Sequence, residues 1–312
     1  MSTREAELTV PAARERRKKK GPKFADTWWR HLIALIAAVA ALFPVAYIIS
    51  AAFNADDSLN GASLIPRHVT FDNFRSLFGN QQHVTGHATF QNAHYIRWFV
   101  NSMLVAGGTA ILTVMLSAMA AYAFSRFRFK GRRLSMLALL LVQMFPQLLA
   151  IVAIYLMVLN TGEVFPFLGL NSLSALIIVY LGGALGVNTW LMKGFFDTIP
   201  AELDESARVD GATPSQVFWG VVLPLAAPVL AVIGLFSFVG TLNEFIVASV
   251  LLQSDKKFTL PLGMRGFIDQ QFSQHWGPFA AGVLIAALPV VILFMFLQRF
   301  IVQGLTAGSV KG

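Results

Sequence analysis

The sequence predicts an all-α integral membrane protein of six transmembrane helices. Two observations carry that fold class. Hydrophobic residues make up 56% of the 312-residue chain and charged residues only 13%, whereas soluble domains carry about 25% charged residues; mean hydropathy is +0.63. Six apolar runs also reach the roughly 20 residues that a span needs: about 32–53, 98–124, 134–159, 170–192, 221–252 and 277–298. Five of these hold no charged residue, and 221–252 holds only Glu244. In lipid, helices and closed barrels alone satisfy the backbone. Alternating ten-residue barrel strands are absent.

Residues 1–30 hold nine of the 24 Lys and Arg, clustered as "RERRKKK" at 14–20. They show no periodic apolar pattern and read as a disordered cytoplasmic tail that sets topology and meets anionic lipid. A basic leader before an apolar run also describes a signal peptide. The leader of about 30 residues and the run of about 22 are too long for one, so 32–53 reads as a retained first span. The loop "RFRFKGRR" at 126–133 adds five cations, against three in 54–97 and none in 160–169. By the positive-inside rule the N-terminus and the 125–133 loop are cytoplasmic. Six spans then place the C-terminus, and residues 197–220, inside as well. The net charge of +8 is therefore a topology signal rather than a nucleic-acid signal. There is no cysteine, which excludes disulfide and thiol chemistry.

The outside segment 54–97 contains His68, His83, His87 and His94. The spacing H-x3-H-x6-H matches no zinc pattern and no Cys supports it, so the segment reads as a solvated loop with no metal. Inside the spans, Gln143 and Gln147 are four apart and share one helix face, with Pro146 between them to kink the turn. Asn188 lies in the fourth run, and Asn243 with Glu244 in the fifth. These polar groups either hydrogen-bond between helices or line a polar pathway, and both readings stand. Glu244 carries the stronger signal, because an ionised group in lipid faces a cavity or partner. Gly107-Gly108 and Gly182-Gly183 with Gly186 suit close helix approach. No P-loop, HExxH or GxSxG occurs, no carboxylates pair within the spans, and no repeat is evident.

Between spans four and five the chain turns polar. Glu202, Asp204, Glu205, Arg208 and Asp210 put five charges in nine residues. Each would cost roughly 2.5–3.5 kcal/mol at a span centre, on the order of 13–17 kcal/mol together. The segment therefore lies in water or against protein. Pro200 suits the first turn of a helix, with three acids following near its positive end. Asp204 and Arg208 form a favourable i,i+4 pair. Gly211 is a natural stop, and Thr213-Pro214-Ser215-Gln216 reads as a capping box opening a second helix. A helix of two and a half turns is marginal alone, so it needs a surface to dock on. Ser206, Ala207, Gly211 and Ala212 are small enough to let a partner approach.

The run Glu205-Ser206-Ala207-x-x-Asp210-Gly211-Ala212, followed by Phe218, Val221, Leu223-Pro224 and Pro228, resembles the EAA loop of ABC importer permeases. Ser206 stands where that pattern has Ala, and Val221 where it has Ile. "MAAYAFSRFRFKGRR" (119–133) resembles the family's segment ending the second core span. "QRFIVQGLTAGSVKG" (298–312) is similar to the end of maltose-type permeases of binding-protein-dependent transport. The resemblance covers most of 31–312, outside the tail and 80–95. It implies a type I ABC importer permease fold in a bacterial inner membrane, with a coupling loop at about 197–220. Glu205, Ser206, Ala207, Asp210, Gly211 and Ala212 would contact the ATPase. It implies a second permease subunit, two ATPase subunits carrying ATP and Mg, and an extracytoplasmic sugar-binding protein reached by 253–276. The chain itself would carry no cofactor and no catalytic residue, and the C-terminal tail would lie against the ATPases. The cargo class implied is an oligosaccharide such as maltose, maltodextrin or trehalose.

An ion-coupled secondary transporter is the alternative, and it needs an ionisable group near the midplane. Glu244 is the one candidate. Gln143, Gln147, Asn188 and Asn243 are the candidates for pathway lining in either case. A membrane enzyme would need a catalytic constellation that the sequence lacks.

Overall fold

The computed structural model describes residues 24–55, 66, 68–78, 94–268 and 275–309, with the side chains of 24–27, 147 and 301–309 outside that description. His83, His87 and most of the basic tail also lie outside it. Among the described residues the elements are helical, apart from an isolated bridge between Asn54 and Val69.

Residues up to Tyr47 form one compact unit and those from Ile48 another. The first contains most of α1 (Phe24–Phe53), whose stretch Trp28–Phe53 is long and apolar enough to span a membrane. The second unit begins with the end of α1 and the short α2 (Asp72–Phe78). Its axis is α3 (Tyr95–Arg126), which packs along α6 (Leu173–Phe196) and α10 (Ala227–Leu242). The buried positions of α3 from Ala106 to Ala121 are Ala, Thr and Ser. Without a hydrophobic force between helices in lipid, such small side chains let backbones approach and gain dispersion contacts.

Among the described residues four helices can span uninterrupted: Trp28–Phe53, Tyr95–Arg126, Leu173–Phe196 and Trp276–Phe300, the last within α13 (Trp276–Ser309). The other two apolar runs are broken. The run 134–159 divides into α4 (Arg132–Gln143) and α5 (Gln147–Val164), bent by 102°. Pro146 disfavours helical backbone at the residue before it and is itself extended, with ψ 118°. This corrects the expectation that Gln143 and Gln147 share a helix face, since they stand on opposite sides of the break.

The run 221–252 is also not one helix. Its first residues continue α8 (Pro214–Val217) through a π-helical turn, Phe218–Val222, and α9 (Leu223–Leu225). This piece is bent 78° from α10. Pro224 has no N–H for the ladder, and Leu223 instead donates back to the Phe218 carbonyl. The apolar α10 starts at Ala227, ends at Leu242, and is followed by α11 (Ile246–Leu251). Counting each bent pair as one span gives six.

At the Tyr95 end of α3 the segment after α11 is stitched down by side chains. Trp98 Nε1 donates to the Asp255 carbonyl at 2.8 Å, and Asn101 donates to those of Lys256 and Phe258. Ser102 Oγ accepts the Leu260 N–H at 2.6 Å, opening α12 (Leu260–Met264). Here Gly263 admits the Trp98 ring, which a Cβ would approach to 2.2 Å. His94 Nδ1 lies 2.6 Å from Asp255 Oδ2, so its partner is a carboxylate on this segment.

Candidate coupling surface and pathway residues

The charged stretch forms α7 (Ala201–Val209), entered through Pro200 with extended backbone. It lies at the Arg126 end of α3. Arg126 Nε stands 2.9 Å from Asp204 Oδ2, with the two side chains only 10% and 4% exposed. Arg126 Nη2 also donates to the Ile199 carbonyl at 2.9 Å. Asp204 therefore pairs across the fold with Arg126, not along the helix with Arg208. A buried carboxylate needs a buried cation, whereas an exposed i,i+4 pair adds only tenths of a kcal/mol, about 0.2–0.5.

A second tie stands beside it. Ser125 Oγ donates to Asp197 Oδ1 at 2.7 Å, and the Lys193 ammonium meets Oδ2. Partial burial pushes the Asp197 carboxyl up, but hydrogen bonds from Lys193 and Ser125 and the charge of Arg132 outweigh it and hold it below its ordinary value.

Gly211 ends α7 with φ +85°. Its N–H donates to the Arg208 carbonyl at 3.0 Å, and the Ala212 N–H to that of Ala207 at 2.9 Å. These two bonds make a Schellman motif, and its usual apolar contact is Ala207 with Ala212. Both alanines pack onto the chain's own core, around Tyr122, Phe196, Val217 and Phe218. Half-buried there, these small residues let α7 lie close on α8 and the π-helical turn Phe218–Val222. The chain then reverses into α8. The Gln216 N–H donates to Thr213 Oγ1 at 3.3 Å and the Thr213 N–H to Gln216 Oε1 at 2.8 Å, completing the capping box.

Exposed on α7 are Ala201, Glu202, Leu203, Glu205, Ser206, Arg208 and Val209, with Asp210 and Gly211 exposed after them. Val209 is 87% exposed. Leu203 and Val209 were missed in the sequence. The available signal was two large apolar residues in a helix otherwise charged or small, since only Ala201, Leu203, Ala207 and Val209 are apolar in it.

The four polar span residues separate. Gln143 inserts its amide into the backbone of α6: Nε2 donates to the Gly183 carbonyl at 2.8 Å and Oε1 accepts the Val187 N–H at 3.2 Å. Gly186 permits this approach, because a Cβ there would lie 2.7 Å from Nε2. The Gln147 side chain lies outside the described residues. Asn188 donates to the carbonyl of Ala184, one turn back, at 2.9 Å. Asn243 donates to Val239 and borders a cavity of about 680 Å³ with Phe245, Arg265 and residues of α13. Of the three whose side chains are described, only Asn243 is both exposed and on that cavity.

Comparison with known proteins gives this geometry a context. Residues 88–307 match the family described as "binding-protein-dependent transport system inner membrane component". The chain belongs to that family. The permease is 40% identical over 283 residues to the maltose/maltodextrin transport system permease protein MalG of Escherichia coli strain K12, covering 90% of this chain and 95% of that one. It is 42% identical to MalG of Vibrio vulnificus, covering 91% and 96%. It is 37% identical to the galactooligosaccharides transport system permease protein GanQ of Bacillus subtilis, covering 90% and 94%. Its fold matches a chain of a bacterial ABC transporter involved in the import of the acidic polysaccharide alginate, with a TM-score of 0.71 at 22% identity, covering 89% of this chain and 98% of that one. The permease is thus an all-helical, multi-pass inner-membrane component with the ABC importer permease fold.

In the permease, Glu244 has a local task. Its carboxylate accepts the N–H groups of Val247 and Ala248, at 2.8 and 3.2 Å, and the hydroxyl of Tyr180. It caps α11 where the fifth apolar run breaks, as an acid at a positive helix end does.

Proposed function

We propose that this permease is one of two membrane subunits of an ATP-driven importer for an oligosaccharide of the maltose, maltodextrin or trehalose class. In this reading ATP and Mg sit on two separate ATPase subunits, and an extracytoplasmic binding protein delivers the sugar. The chain performs no chemistry; its spans alternate between outward and inward openings. Residues 1–30 are the basic tail, 31–312 the permease domain, and both termini are cytoplasmic. The observation that carries the proposal is α7: exposed on its outer face through Leu203, Glu205, Ser206 and Val209, and held to the span ends through Arg126–Asp204. A short helix so fixed transmits force in either direction. Glu205, Ser206, Asp210 and Gly211 meet the ATPase, while Ala207 and Ala212 seat the helix on the spans. The ion-coupled alternative has only Glu244, which the α11 cap already engages.

The deciding experiment is co-expression with an ATPase subunit. Glu205→Lys is expected to cut ATPase co-purification and sugar-stimulated hydrolysis at least several-fold, because it reverses charge at a contact. Wild-type values for both would remove the coupling role. Orientation is read by labelling this cysteine-free chain in intact cells: Lys257→Cys reacts from outside, whereas Phe129→Cys and Ser206→Cys do not. Labelling of Ser206→Cys from outside would invert the topology and end the proposal.

The pathway candidates separate by substitution. Gln143→Leu is expected to lower stability by about 1 kcal/mol, the usual worth of an interhelical hydrogen bond in lipid, with sugar preference unchanged. Asn243→Leu is expected to keep stability and change the preference among sugars. Identical preference in Asn243→Leu would assign Asn243 to helix packing alone.

A further inference from the structure

We propose that the turn at residues 128–134 binds the phosphate headgroup of an anionic phospholipid, at the membrane surface where α3 ends and α4 begins. The turn is made by Gly131, with φ +87°, and closed by the Ser135 N–H donating to the Gly131 carbonyl at 2.8 Å. It wraps a cleft of about 630 Å³ whose lining carries four cations and no acid: Arg128, Lys130, Arg132 and Arg133. Among the described residues the ion pairs are Arg75–Asp72, His94–Asp255, Arg126–Asp204 and Lys193–Asp197, and none uses a lining cation. Only Arg132 reaches an acid electrostatically, at Asp197. Arg126, two residues upstream, pairs with Asp204 and is not part of the cleft.

This arrangement is costly without an anion. Four like charges crowd one turn. Two of them, Arg132 and Arg133, stand in the first turn of α4, whose dipole is positive there, with no acidic residue and no side-chain cap. A phosphate offsets both terms. The apolar surroundings select a lipid over a free phosphate. Leu134, Leu137 and Leu141 repeat at i, i+3 and i+7 down one face of α4 and are 74%, 54% and 59% exposed. They form a track for an acyl chain leading away from the cationic turn. Phe129, exposed in the turn, presents an apolar ring that suits the boundary between headgroups and acyl chains.

The test uses the full-length permease in detergent, titrated with phosphatidylglycerol or phosphatidylethanolamine of identical acyl chains and read by native mass spectrometry. Wild type is expected to retain phosphatidylglycerol preferentially. Each cation near an anionic headgroup is worth roughly fivefold, so Arg128→Gln/Lys130→Gln/Arg133→Gln together are expected to lower that preference about a hundredfold. The charge-matched control Arg75→Gln/Lys256→Gln/Lys257→Gln, exposed cations away from this turn, is expected to keep most of it. Equal losses in the two triple variants would reduce the effect to net charge and overturn the site. Complete displacement of the lipid by millimolar glycerol 3-phosphate would make it a free-anion site and also overturn it. A photoreactive residue replacing Phe129, irradiated in native membranes, is expected to yield a phospholipid adduct. An adduct only to another protein subunit would assign the turn to protein contact, and this arm does not depend on the triple variant folding.

Discussion

Asp204→Ala is expected to destabilise the permease by about 3–5 kcal/mol, the cost of leaving one member of a buried ion pair without its partner. The remaining guanidinium of Arg126 would stay enclosed between α3 and α7 with only the Ile199 carbonyl to bond. Against a total stability of roughly 5–15 kcal/mol, that loss is large. Arg126→Ala is expected to behave alike, stranding the carboxylate. The combined Arg126→Met/Asp204→Leu variant is expected to recover most of the loss, because apolar side chains of similar volume replace a desolvated pair at little net cost. Arg208→Ala, on the exposed side of α7, is expected to stay within about 0.5 kcal/mol of wild type. Thermal unfolding of the purified permease in one detergent measures all four. Small and additive losses in the two single variants would mean that the pair is hydrated and that α7 is held by Ala207 and Ala212 alone.

The contrast between Asp204 and Arg208 shows where sequence reading stops. Local signals were legible because each depends on residues a few positions apart: the capping box of Thr213 with Gln216, the stop at Gly211, the length of the apolar runs. The Arg126–Asp204 pair joins residues 78 positions apart, and nothing local distinguishes Asp204 from Glu202 or Glu205. The i,i+4 rule therefore offered Arg208, a real neighbour that tertiary burial overrode. Pro146 marked a disturbance at the right place but not its size; a tolerated kink and a 102° break begin with the same residue. The outer face of α7 was half legible. Its charges showed that it meets water or protein, but which small residues turn inward depended on how α7 packs on α8 and the core beside it.

Gly211→Pro is expected to abolish uptake and ATPase co-purification. Three bonds depend on this position. The Gly211 N–H to Arg208 would be deleted outright, because proline has none. Its φ of +85° would be forced to about −65°. That rotates the next peptide, so the Ala212 N–H no longer meets the Ala207 carbonyl and Thr213 no longer faces Gln216. The damage reaches past the turn, because Ala207 and Ala212 seat α7 on the core, and α8 and the π-helical turn after it carry Val217 and Phe218 into it. Gly211→Ala keeps the N–H and is expected to cost roughly 1–2 kcal/mol for a left-handed residue bearing a Cβ. Gly211→Asn, which tolerates that region better, is expected to retain most uptake. The order Gly, Asn, Ala, Pro in transport rate, measured at equal membrane abundance, is therefore the signature of a left-handed cap holding α7 in place. If proline transports as well as glycine, α7 is not positioned by this turn, and force cannot pass to the spans through it.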